Sequence, residues 1–255
     1  MKGERFMANE ENAGAVAALS HFRAAFYLLL SRAFSKELSG DVLSGMVRML
    51  DDLMEVSDSM EIPQQEDIQI GVSLLDDYFT QIRNGDHEDA LRDLAMDYAS
   101  LFLGIGQRTI SPCESVYRSA AGLLFQAAQL EVRKAYEKIG MAKSDQFPEP
   151  DDHLALELTF MAELCNRTQD AIERDREWAC YYLGLQREFL EMHLLPWVPD
   201  FSQDLMDAAR TSFYRAMAYL LRGGIRIDNQ LIERMMGTLN AQLELNQKGG
   251  VKQGT

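Results

Sequence analysis

His153 and Glu157 stand one helical turn apart, with Glu149, Asp151 and Asp152 just ahead of them. An imidazole among carboxylates is a donor set for a hard or borderline divalent cation. One reading is therefore a metal-dependent helical-bundle enzyme using Asp151, Asp152, His153 and Glu157. The spacing matches no catalytic pattern. Di-metal bundles need Glu-x-x-His on two helices, and neither that pair nor H-E-x-x-H occurs in the chain.

Other chemistries find less support. Gly104-Ile105-Gly106 and Gly223-Gly224, the densest glycines, lack the lysine and hydroxyl residue of a phosphate-cradling loop. Cys113 lies between Pro112 and Glu114, and an acidic neighbour disfavours the thiolate, so it reads as an inert loop thiol. His21, His87 and His193 read as a helix-surface, a turn and a helix-end histidine. No catalytic residue, metal or cofactor is expected.

The helix that must position His153 and Glu157 has a well-marked start. Pro150 suits a first helical turn, and Asp151 and Asp152 sit where the positive end of the helix dipole favours carboxylates. At about 100° per residue, Leu154, Leu156, Leu158, Phe160, Met161, Leu164 and Cys165 fill one broad arc. His153 and Glu157 fall inside it, as polar groups on a core-facing surface. Glu157 is expected to be satisfied in the core by His153. Asp152 and His153 follow a flexible connection, Gly140 to Pro150, and are expected to be accessible.

Around this helix the periodicity is helical nearly throughout, which predicts an all-α fold: a single globular bundle of about ten helices. Leu19, Phe22, Phe26, Tyr27 and Leu30 mark the first, Val42 to Val56 a second, and about Gln64 to Ile82 a third. Asn84-Gly85-Asp86 is a turn, before a fourth helix ending at Gly104. Helices follow over 114–125 and 126–139, then the acidic helix, one carrying Trp178 to Met192, one over 201–221, and a last capped by Asp228 and reaching about Leu245. Trp197, between Pro196 and Pro199, reads as a packing plug.

With 255 residues, 47% of them apolar, the chain has enough material for a sizeable core. Its apolar run Ala24 to Leu30 is too short to span a bilayer, and His21 and Arg23 break any signal-peptide core, so a cytoplasmic protein without stable membrane insertion is expected. Three cysteines without C-x-x-C spacing encode neither a disulfide framework nor a zinc site. A net charge of −15 disfavours nucleic acid and favours a basic partner. Asp51 to Phe79 holds nine carboxylates and no Lys or Arg, a solvated acidic face, and Ser144 to Asn166 holds six, there adjoining apolar surface.

Four ordered motifs carry a resemblance: Asp97-Tyr98-Ala-Ser-Leu101-Phe102-Leu-Gly104, Ser111-Pro112-Cys-Glu114-Ser115-Val-Tyr117, Glu149-Pro150-Asp-Asp152-His153-Leu and His193-Leu-Leu-Pro-Trp197-Val-Pro199. Over roughly Leu19 to Ile227 the chain resembles the TorD/DmsD/NarJ family of redox-enzyme maturation chaperones. The resemblance implies an all-α cytoplasmic chaperone, monomeric or a domain-swapped dimer. Such a chaperone would bind the twin-arginine signal peptide and apo catalytic subunit of a molybdopterin oxidoreductase, assist cofactor insertion and prevent premature export. The resemblance assigns signal-peptide binding to Asp152 and His153, and groove lining to Tyr98, Phe102, Pro112, Glu114 and Tyr117, with Glu149 on the acidic rim. Aromatic anchoring falls to tyrosine and phenylalanine, since Trp178 and Trp197 are the only tryptophans. The family-like domain is expected over 10–245, with halves 10–139 and 151–245 about a hinge at 140–150, and flexible tails at 1–9 and 246–255.

The residues agree on physical grounds. A twin-arginine signal offers two guanidinium groups and then an apolar stretch, and an acidic rim beside an apolar groove complements both.

Overall fold

Tyr27, Leu30, Ala33 and Phe34 recur at helical spacing, and that stripe is fully buried. It belongs to α1, Lys2–Ser35, which lies along α6, Leu154–Ile172. The computed structural model describes residues 2–46, 65–84, 87–105, 109–124, 126–172 and 174–250. The other helices are α2 (Gln65–Asn84), α3 (His87–Phe102), α4 (Glu114–Arg118), α5 (Ala127–Lys138), α7 (Arg176–Phe189), α8 (Val198–Ala208) and α9 (Ser212–Gly250). Residues 40–46 are also helical, and Leu190–Leu194 form a π-helical turn after α7. No strand occurs among the described residues, so the all-α expectation holds. The rest of the helix expected to Val56, and most of the Asn84-Gly85-Asp86 turn, lie outside the described residues.

Two neighbours come unusually close to α9. A Cβ on Gly224 would stand 2.5 Å from the Phe26 ring of α1, and one on Gly223 would stand 2.8 Å from Asp67 Cβ of α2. The glycine pair is thus a contact surface inside a helix, not a joint. Asp228, expected to cap a separate last helix, lies within α9. It is buried, accepting from Arg23 Nη2 at 2.8 Å and from Tyr27 Oη at 2.5 Å.

Other boundaries also moved. The helix expected over 201–221 breaks at Ala209, which is extended, because the buried Asp97 of α3 accepts from the N–H groups of Arg210 (3.2 Å) and Thr211 (2.8 Å). α4 stops after five residues, and the chain turns through Gly122 at φ 62° before α5 begins. α1 starts at Lys2 and α9 runs to Gly250, so helix covers most of the residues expected in the two tails.

Residues 13–35 of α1 are long and apolar enough to cross a membrane, more than the run 24–30 suggested. Here much of that apolarity faces the bundle core, with Arg23 buried against Asp228 and Gln186.

Candidate functional site

The stretches 112–115 and 151–154 run antiparallel and clasp each other. Glu114 N–H donates to the Asp152 carbonyl (3.0 Å) and Leu154 N–H to the Pro112 carbonyl (2.8 Å), on either side of a bridge between Cys113 and His153. A short helix such as α4 begins with orphan amides. Asp152 Oδ2 accepts one of them, Ser115 N–H at 2.8 Å, together with the Ser115 hydroxyl. His153 serves its own helix, its Nδ1 accepting Ala155 N–H at 3.1 Å. An imidazole that accepts at Nδ1 is neutral, with its proton on Nε2, and burial lowers His153 to about 4. Burial, then the nearby Asp152, pushes the Cys113 thiol up, which keeps it inert as expected.

The clasp corrects the expected accessibility of the α6 terminus. Asp152 is 0% and His153 3% exposed. The turn is tied down from behind by Tyr136 Oη, donating to the Asp151 carbonyl (2.9 Å), and by Arg133, paired with the Asp151 carboxylate (2.6 Å). Both Asp152 and His153 hold backbone in place and present no charge to solvent.

The metal reading fails on the same geometry. Asp151 binds Arg133 and Gln129, Asp152 binds Ser115, His153 binds backbone, and Glu157 accepts from Trp197 Nε1 at 3.3 Å. Among the described residues no group of three or more His, Cys, Asp or Glu side chains is arranged to hold a metal ion.

Glu157 is not paired with His153 as expected. Burial, then the Glu114 and Asp152 carboxylates, pushes its carboxyl well above the ordinary range. Its protonated form is thereby favoured, and among the described residues Glu157 Oε1 has no hydrogen-bond partner. Glu114, also 0% exposed, receives His193 Nδ1 at 3.0 Å and Arg118 Nη1 at 2.5 Å.

Pro196 explains why Arg118 and His193 meet there. Proline has no N–H to give the carbonyl four residues back, that of Met192. The chain widens into a π turn in which Leu195 N–H reaches Leu190 O at 2.8 Å, a distortion often found at functional sites. His193 faces inward, and Arg118 Nη1 donates to the freed Met192 carbonyl at 3.0 Å.

Two open furrows meet at this point. One, about 240 Å³, lies between α5 and the α7 to π-turn segment, over Phe160, Leu185, Phe189, Met192 and His193, with Glu131, Lys134, Lys138 and Glu188 at its edge. The other, about 280 Å³, lies between α4 and α5 and is lined by Ser115, Arg118, Gln126, Ala128 and Glu131. Leu123 and Leu124 in the connection between α4 and α5, Leu130 on α5 and Met192 on the π turn stand exposed.

The remaining expected residues occupy two places. Pro112 and Glu114 belong to the clasp. Tyr117, half-buried on α4, donates to Asp204 (3.1 Å) and packs on Trp197 at 5.5 Å. Tyr98 and Phe102 pack on each other at 5.1 Å in a separate cluster, linked toward Tyr117 through Phe34 and Phe201. Tyr98 is buried, and burial, then Glu149 and Glu37, raise its phenol to about 12. Glu149 alone among the expected acids is exposed. Trp197 is a fully buried plug, as expected. Sequence reasoning missed Arg118 and His193. The Glu114-to-Arg118 spacing of four was a readable helical ion-pair signal, and His193 opens the last of the four motifs.

Buried polar groups brace open, partly apolar furrows in an all-helical scaffold. Residues 65–203 match the family described as the nitrate reductase delta subunit, and the chain belongs to that family, the TorD/DmsD/NarJ group. Its relatives include the chaperone protein TorD of Aliivibrio fischeri, 29% identical over 215 residues (83% of this chain, 94% of the relative). Those of Vibrio parahaemolyticus, 28% identical over 84% of this chain and 96% of the relative, and Shewanella oneidensis, 26% identical over 89% and 96%, are similar along the same length. The relatives are chaperones by name.

Proposed function

We propose that this protein is a cytoplasmic, system-specific chaperone of molybdoenzyme maturation. It binds the twin-arginine signal peptide and apo catalytic subunit of a molybdopterin oxidoreductase, assists cofactor insertion and prevents premature export. The observation that carries the reading is the pair of furrows meeting over Glu114, Arg118 and His193, apolar on one side and edged by Glu131, by Lys134 and by Glu188 paired with Lys138 at 3.0 Å. A cationic, apolar peptide is complementary to that surface. Asp152 and His153 contribute by holding α4 against α6 rather than by touching the peptide. The connection 140–150 acts as a hinge, which permits an exchanged dimer as well as a monomer.

Burying about four aliphatic side chains at roughly 1.5 to 3 kcal/mol each is offset by about 2 to 5 kcal/mol of peptide ordering and by lost overall freedom. Affinity of about micromolar follows, weak enough for release. The test is calorimetric titration of a synthetic twin-arginine signal peptide into the full chain and into Met192→Glu and Glu131→Lys, both exposed positions. Each substitution should weaken binding at least about tenfold with melting unchanged. A peptide that does not bind defeats the reading, and one that binds all three proteins equally defeats the site.

A further inference from the structure

We propose that Arg118 is an internal stand-in for an arginine of the client peptide: in the free protein it holds Glu114 and the Met192 carbonyl, the two acceptors a peptide guanidinium takes over on binding. The inference rests on the peptide-binding reading and deepens it.

Arg118 is anchored at its tip only. Its Nη1 donates to Glu114 Oε1 at 2.5 Å and to Met192 O at 3.0 Å, yet its side chain is 35% exposed while that of Glu114 is 0% exposed. The guanidinium lines one furrow and bonds the backbone of a residue lining the other. It thus forms the wall between two troughs, and its withdrawal would join them into one channel alongside α5. Neither acceptor has a ready substitute within its own helix. Pro196 supplies no N–H to Met192, and His193 already bonds the other oxygen of Glu114, Oε2, at 3.0 Å.

Exchange of one guanidinium for another conserves both hydrogen bonds, so it costs little and leaves the apolar segment of the peptide to supply the affinity. It also selects arginine over lysine. A planar guanidinium can reach a carboxylate and a carbonyl at once with fixed geometry, whereas an ammonium is a compact, strongly hydrated point charge.

The test titrates a synthetic peptide with two adjacent arginines before a leucine-rich stretch, and its lysine-for-arginine counterpart, into the full chain and into Arg118→Ala and Arg118→Gln. If the closed form dominates the free protein, opening it should raise affinity about tenfold or more. Both variants should therefore bind the arginine peptide that much tighter, with little gain for the lysine peptide and none once Glu114→Gln is added. In the wild type, the Arg118 Nη–H resonances should lose their protection from solvent exchange at peptide saturation. Wild-type binding with no gain in either variant, or with an Arg118 resonance that stays protected, overturns the stand-in and leaves the chaperone reading intact. Binding only by the variants supports the stand-in, and binding by none overturns both.

Discussion

Asp152 caps a helix that is not its own: its Oδ2 accepts the backbone N–H of Ser115, 37 residues upstream, at 2.8 Å. Asp97 does the same for the start of α9, accepting Thr211 N–H across 114 residues at 2.8 Å. Both aspartates stand in motifs that carry the family resemblance. Both act as tertiary staples.

Asp152→Ala should therefore act first on stability. It leaves buried amide and hydroxyl donors unpaired at α4, a cost of about 1 to 3 kcal/mol. Asp152→Asn keeps one acceptor oxygen and should lose less. Urea unfolding followed by far-ultraviolet dichroism measures both, and an alanine variant within about 0.5 kcal/mol of wild type would contradict the capping role.

His153 and Glu157 give stability opposite slopes with pH. His153 sits at about 4 when folded against 6.5 unfolded. Between those values the unfolded chain binds more protons, so the contribution is full above pH 6.5 and is lost as pH falls toward 4. The gap is worth about 3 kcal/mol at most. Glu157 is raised when folded, so its contribution is full below its ordinary 4.5 and is lost as pH rises through its folded value. Denaturant titrations across pH should show His153→Asn flattening the acid limb and Glu157→Gln flattening the limb above pH 4.5.

The glycines of α9 divide into two kinds. Gly224→Ala places a Cβ 2.5 Å from Phe26, and should cost about 1 to 3 kcal/mol by overpacking, more than the helix-propensity gain of up to about 1. Gly237→Ala meets nothing within 4 Å and should stabilise by up to about 1 kcal/mol. Opposite shifts in melting temperature are expected, and shifts of the same sign would contradict the close approach of α1 and α9.

Arg23 and Asp228 form a buried pair joining α1 to α9. Arg23→Met strands a buried carboxylate beside Tyr27 and should cost about 3 to 5 kcal/mol, whereas Arg23→Met with Asp228→Leu should recover most of that loss. A double-mutant cycle in urea reads the coupling, and simple additivity would contradict the pairing.

The helical class, the plug at Trp197 and the inert Cys113 were legible because each rests on residues within a turn or two of one another, whereas α6 begins at Leu154 and not at Pro150, the residues between being held in the clasp with α4. The family motifs were legible as well, since their order and residue types are properties of the chain alone. Accessibility was misjudged at Asp152 and His153 for a specific reason. A helix terminus after a loop is open unless something distant covers it, and here α4 does.

What the sequence determined by itself was the periodicity that makes helices, the punctuation that starts several of them, and the set of acids, aromatics and prolines available for a site. Only the tertiary structure decided that Asp152 would serve α4, that Asp228 would meet Arg23 inside the bundle, and that Arg118 would close Glu114 off from solvent. Caps and periodicity are short-range properties. Whether a carboxylate meets water, an amide or a guanidinium depends on which helices pack against it, and those partners lie as far as 205 residues away along the chain.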